Sequence, residues 1–554
     1  MGQEIDLQGW DTANVVTPDV LNAAIAAQKT SPPTFDLTEG TNAINGTWGP
    51  WQLTLGRSGS LLEFACPIVK GTGIDNNGKS HDLAGATVNI EIALQAINDT
   101  ASAFADKTAD KATMPKQAKV LLVDPTSTPT SPAVTVISIV PQSLRNDFFF
   151  IFGDWFNANI AAFKHIFHAM MLSETAAKGD FQWLKPTDYS YAMAVSTNKK
   201  LGAFAALCAT DGDPISLLSQ QIDVNVVANL PASSNAVLAI SGEKLIEHVL
   251  KPGAKAVLQG SKLADFDIIG NGLVVTNNKD LIWQDVKLDD GTIVQPLIPK
   301  GNFRMRVVED QIELEFTGMT FKHPLMVGND LVTIGFTQYY TLNLGRDSKG
   351  NQVLTPNFPT ITTSTGVVTA QIVDKPTISV TPDQSAQDFD RAMLIVTIAF
   401  SILPAARGLY KAGQGIWKLG SAIAAKVAQT AGTGAELALS TDEAAQMSSL
   451  AISGSDNLAA AAAMSANLPA DARLATLVNR LTFGSGIISV ISGIAMGINK
   501  LDQNGDWKLD DVPAIDQFMA NVLGASKWPG ADNWTLNGVE LAQSLLLYGR
   551  LDVK

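Results

Sequence analysis

FRMRVVEDQIELEFTGMTF, residues 303–321, carries the pattern from which the fold class follows. Within it, Gln311-Ile-Glu-Leu-Glu-Phe316 alternates polar and apolar side chains, the period of a strand with one face buried. The same strand-and-turn texture recurs in WGPWQLTLG (48–56), ATVNIEIALQAI (86–97), AKVLLVD (118–124), AVTVISIV (133–140), IDVNVVANL (222–230) and LVTIGFTQYYTLNLG (331–345). Asn-Gly, Asp-Gly and Lys-Gly-Asn turn signals separate these runs, so the expected sheet is antiparallel and twisted.

Two helical stretches interrupt the strands. DFFFIFGDWFNANIAAFKHIFHAMML predicts a helix over 147–172, and SGEKLIEHVLKPG predicts one that starts at Ser241 and stops before Pro252 and Gly253. After about residue 385 the texture changes to Ala-rich helix, with apolar cores at 392–406 and 483–498 on either side of a small-residue stretch at 430–470. The domain expectation is therefore a β-rich body over 1–385, a helical insertion over 386–525, and a C-terminal helix and strand over 526–554 that return to the body.

At 554 residues the chain has length for roughly three or four units. A net charge of −14 repels phosphate backbones at long range, and no basic patch offsets it, so nucleic acid is not an expected partner. Cys66 and Cys208 lie in apolar neighbourhoods that read as core, with a single buried disulfide as the alternative. MGQEIDLQGW has neither the basic start nor the apolar run of a secretory signal. The expectation is synthesis in a cytoplasm, with release by lysis or dedicated export.

The sharpest chemical motif is DQNGDWKLDD, 502–511. Asp502, Asn504 and Asp506 place oxygen ligands at calcium-loop positions one, three and five; Lys508 offers a carbonyl at seven and Asp510 falls at nine. Trp507 stands where glycine is usual and Pro513 where a bidentate acid is expected, so a calcium ion and a solvated acidic turn are both open readings. His165 and His168 would share a face of the 147–172 helix, but no carboxylate completes a metal motif and packing is the simpler reading. Arg57-Ser58-Gly59-Ser60 and Gly71-Thr72-Gly73 lack phosphate-loop context and read as ordinary turns. Pro186 restricts Lys185 to extended backbone and should order the start of a strand. No nucleophile elbow, kinase set or dinucleotide fingerprint is found, so no enzyme activity is expected. The apolar cores at 392–406 and 483–498 are shorter than the roughly 20 residues of a membrane span, although their small residues would permit close packing in a bilayer.

Several segments together resemble the forty-seven-kilodalton protein family of clostridial neurotoxin gene clusters and its operon neighbours. They are GWDTANVVTPDVLNAAI (9–25), WGPWQLTLGRSGSLLEFACPI (48–68), FQWLKPTDYSYAMA (181–194) followed by GAFAALCATDG, SGEKLIEHVL (241–250), and the strands around FTGMTFKHP and FTQYYTLNL. The resemblance implies an α+β tubular lipid-binding fold (TULIP, BPI-like), in which curled antiparallel sheet wraps long helices, here with the Ala-rich helical domain added. It implies a bound lipid or other apolar ligand and, as partners, other toxin-cluster proteins. The function to expect is an accessory component of a bacterial toxin complex, an insecticidal complex included. Alternatives are a membrane-inserting toxin that uses the helical domain in conditional membrane contact, or a non-lipid assembly protein. The aromatics of 147–172 exceed what one helical face can use, so they either line an apolar groove or fill core.

Overall fold

Strand-forming runs with one or both faces apolar build three large antiparallel sheets. The computed structural model describes residues 4–99, 118–126, 132–171, 182–381 with short interruptions, 437–438 and 526–553. The described residues divide into two compact units. One comprises those up to Ser241 together with those from Ser526 on; the other begins at Gly242. The single body expected over 1–385 is thus parted at Ser241. A change of composition marks residue 385, whereas nothing in composition marks the place where strand Ala236–Ile240 gives way to the helix starting at Gly242.

In the first unit a six-stranded sheet runs in the order Asp188–Val195, Gly202–Ala209, Thr12–Val16, Ala236–Ile240, Ser544–Val553, Ala531–Ala542. Strand Gly202–Ala209 is buried along its whole length. Its side chains alternate between two cores: Phe204 and Cys208 enter one, while Ala203, Ala205 and Leu207 enter the other, where Trp10, Val226 and Tyr548 pack. The family-like opening is structural. Gly9 adopts φ +86°, Trp10 donates its indole N–H to the Ser219 carbonyl, and Asp11 Oδ2 accepts both the N–H (2.6 Å) and the hydroxyl (2.9 Å) of Thr210.

The second sheet of this unit runs Thr34–Glu39, Asn42–Trp48, Leu61–Ile74, Thr87–Asp99, Ala118–Val123, His168–Met171, Ser526–Lys527. Strand Leu61–Ile74 changes partners along its length. Its first half pairs with Gln52–Leu53 and Thr87–Asp99, and its second half with Asn42–Trp48 and Ser80–Asp82. Register shifts at Thr47/Trp48 and Asn89/Ile90 add twist, and the sheet curls. Helix α1 (Pro18–Gln28) and helix α2 (Arg145–Asn159) supply the helical packing. The second unit holds another curled sheet, in which Gln311–Leu325 pairs with Phe303–Val308 on one side and with Gly328–Arg346 on the other, the latter across a bulge between Phe316 and Met319.

Several expectations are corrected. The long helix over 147–172 ends at Asn159. Beyond it the Phe167 N–H donates to Leu121 O, and His168–Met171 forms a strand against Ala118–Val123. An apolar run carries too little period to separate helix from buried strand, and strand pairing decided it. The helix expected over 241–253 does start after Ser241 but passes through Pro252 to Val257, with a π turn at Ile246–Leu250. The wider turn fits a proline that has no N–H to donate and whose ring crowds the preceding turn. The strand read in 222–230 is a 3-10 turn, Val224–Val227, capped by the Asp223 side chain. The C-terminal helix is a hairpin, Ala531–Ala542 and Ser544–Val553, turned at Gln543 with φ +64°. Gly71-Thr72-Gly73 lies inside a strand, not a turn. Sheet is thus curled as expected, but around short helices. The helical insertion expected over 386–525 falls almost wholly outside the described residues, its apolar cores included. Among the described residues no helix is long and apolar enough to cross a membrane.

Candidate functional site

The interior of the second sheet is closed by α2. On that helix Phe148, Phe152, Trp155 and Phe156 stand at i, i+4, i+7 and i+8, one stripe, and all four are buried; Phe150, on the other side, is 78% exposed. The stripe meets a continuous aromatic array. Ring centroids lie 4.5 Å apart for Phe35 and Trp48, 5.3 Å for Trp48 and Phe156, 4.7 Å for Trp51 and Phe163, and 5.6 Å for Phe64 and Phe163. The array continues through Phe167 and Phe204 to Trp528. Glycines in the facing strands make room: a Cβ on Gly46 would lie 2.5 Å from the Phe35 ring, and one on Gly73 2.5 Å from that of Phe148.

This interior is not wholly apolar. The indole N–H groups of Trp48 and Trp51 and the Nε2 atom of His165 are buried without a hydrogen-bond partner. His165 Nδ1 sits 3.1 Å from the Thr30 hydroxyl. His168 packs edge-on to Trp528 at 4.7 Å. Burial pushes both imidazoles down to about 3, so both are neutral at physiological pH. Each unpaired buried donor costs about 1–3 kcal/mol. An amphipathic molecule with carbonyl or ester oxygens would relieve that cost while its apolar part met the rings. His165 and His168 do not share a helical face as expected. One lies in the turn after α2 and the other on a strand, and they belong to the packing.

A second cluster forms where the first turn of α2 meets the turn after strand Leu61–Ile74. Asp75 Oδ1 accepts the N–H groups of Asn77 and Lys79, both at 2.9 Å, which fixes the turn and leaves Oδ2 free to meet His81 Nε2 at 3.0 Å. The His81 hydrogen bond, and after it the Lys79 N–H, hold the Asp75 carboxyl below its ordinary range. Asp147 completes a group whose ligand-type atoms all lie within 4.8 Å of one another. The Phe148 ring packs edge-on to His81 at 5.4 Å.

The calcium-loop residues Asp502, Asn504, Asp506, Lys508 and Asp510 lie outside the described residues. Cys66 and Cys208 are buried free thiols, so the core reading holds and the disulfide alternative does not. Sequence reasoning missed Asp75, His81 and Asp147. The 75–82 segment DNNGKSHD carried a turn signal, but Asp147 reaches it only through the packing of α2.

A family model described as OrfX-like, Protein OrfX2/OrfX3/P47, matches residues 7–375. The chain is 26% identical over 296 residues to Protein OrfX3 of Paraclostridium bifermentans and 24% identical over 289 residues to Protein OrfX3 of Clostridium botulinum (strain Kyoto / Type A2). Each match covers 47% of this chain and 56% of the relative, so the chain spans about half the length of the curated relatives it matches. The crystal structure of P47 of Clostridium botulinum E1 is similar over 99% of this chain and 100% of its own, with a TM-score of 0.52 and 13% identity, a likeness of fold.

Proposed function

Since the chain belongs to the OrfX-like family of Protein OrfX2, OrfX3 and P47, we propose that it is a lipid- or apolar-ligand-binding protein of the tubular lipid-binding kind, an accessory component of a bacterial toxin complex. The reading extends to partners encoded beside it in a toxin gene cluster, to synthesis in the cytoplasm with release alongside the complex, and to an insecticidal role. It assigns a binding role rather than a catalytic one.

The observation that carries it is the aromatic interior under α2, in which Trp48 Nε1, Trp51 Nε1 and His165 Nε2 are buried and unpartnered. A purely structural core has no use for polar groups left unpaired, whereas a site for an acyl or ring-bearing ligand with oxygen acceptors does. Native mass spectrometry of the purified protein, followed by organic extraction, tests this. The expected result is a defined lipid retained through buffer exchange near one-to-one stoichiometry. A protein that emerges empty from several preparations, and takes up no lipid from mixed vesicles, overturns the reading.

A further inference from the structure

We propose that Asp75, His81 and Asp147 form a binding site for a first-row divalent cation of the zinc class, which clasps the amino-terminal turn of α2 to the turn that follows strand Leu61–Ile74. Three protein ligands, one imidazole nitrogen and two carboxylates, are a donor set that holds such an ion with water in the remaining position. The imidazole favours zinc, cobalt or nickel over calcium and magnesium, which prefer all-oxygen surroundings.

The geometry supports this in three ways. His81 Nε2 and Asp75 Oδ2 are already 3.0 Å apart, close to the edge of a tetrahedron with metal–ligand bonds of about 2.0–2.2 Å. Asp147 offers a carboxylate oxygen within 4.8 Å of both. Asp75 is also oriented from outside the site: its other oxygen is taken by the Asn77 and Lys79 N–H groups, an arrangement that fixes the ligand and aims its free oxygen. Third, an independent group beside the site is left wanting. Asn42, which donates its amide to the Asp147 carbonyl at 3.2 Å, is only 9% exposed, and its Oδ1 is buried with no partner. Such an oxygen is suited to receive a hydrogen bond from a metal-bound water. His81 and Asp147 are only half-buried, which leaves a path for the ion.

The site is far in sequence from the acidic loop at 502–511, and the test keeps the two apart. The full-length protein, stripped with chelator, is titrated with cobalt(II) and followed by its visible d–d absorption, then with zinc by calorimetry and thermal melting. The expected outcome is one equivalent bound with micromolar or tighter affinity, absorption typical of a four- or five-coordinate nitrogen-containing site, and a higher Tm with zinc. Asp147→Asn keeps the shape and the His81–Asp75 hydrogen bond, and His81→Gln removes the nitrogen ligand; each should weaken binding at least tenfold and abolish the zinc-dependent Tm shift while leaving the circular dichroism spectrum unchanged. Absence of binding to the wild-type protein overturns the proposal. So does binding that survives both substitutions, since the ion would then sit elsewhere in the chain.

Discussion

The Phe148 ring occupies the space a side chain at position 73 would need: a Cβ built on Gly73 comes within 2.5 Å of it. Gly73 pairs with His81 across the strands, so the same contact seats the first turn of α2 over the Asp75–His81 turn. Gly73→Ala should therefore cost about 1–3 kcal/mol through overpacking. Phe148→Ala alone should cost about 3–5 kcal/mol, and the two substitutions together should cost less than their sum. Urea denaturation of the four proteins measures the coupling. Strict additivity would show that the contact does not constrain the fold.

Tyr191 ties together the two sheets of the first unit. Its hydroxyl accepts the Leu94 N–H at 2.6 Å and donates to the Ser60 carbonyl at 2.6 Å, and burial pushes the phenol up to about 12. Tyr191→Phe leaves both backbone groups unpaired and should destabilise by about 1–3 kcal/mol. A neutral effect in equilibrium unfolding would mean that water replaces the hydroxyl.

Acid should loosen the first unit. His165 and His168 are held neutral down to about 3 in the folded protein, while the unfolded chain protonates them near 6.5. The folded pKa is depressed, so the unfolded state binds more protons between these values. Stability is full above 6.5 and falls as pH drops toward 3, by about 1.4 kcal/mol per histidine at pH 5.5. Unfolding midpoints at pH 7.5 and 5.5 should separate accordingly. In His165→Asn/His168→Asn the separation should shrink by the share of the two histidines; an unchanged separation would assign the acid sensitivity to carboxylates.

Trp51→Phe separates a ligand site from plain core. In ligand-free protein the change deletes a buried N–H that has no partner, a gain that the lost packing of the smaller ring offsets, so stability should change little. If the indole meets a ligand oxygen, the same change should lower lipid retention several-fold in extraction assays. Unchanged retention would remove Trp51 from the site.

Fold class was readable because period-2 patterning survives in one-face-buried strands. In Gln311–Phe316 the apolar set Ile312, Leu314 and Phe316 is buried as its alternation implies, and the strand pairs on both sides. The apolar runs were less readable. Residues 160–172 and 544–551 are apolar enough to suit a helix or a doubly buried strand, and each became or contained a strand because a neighbouring edge, Ala118–Val123 in one case and Ala236–Ile240 in the other, offered hydrogen bonds. Pro252 looked like a stop signal, but a π turn absorbed it.

Sequence by itself determined the antiparallel β-rich class, the helix start after Ser241 and the family resemblance, because these rest on local pattern and on motifs read in order. Only tertiary structure decided that the chain parts at Ser241, that Phe152, Trp155 and Phe156 converge on Phe35 and Trp48, and that Asp147 meets Asp75 and His81. Those groupings depend on packing between residues far apart in the chain, from His81 and Asp147 to Phe35 and Trp155, and no local period records which distant side chain will fill the space a glycine leaves.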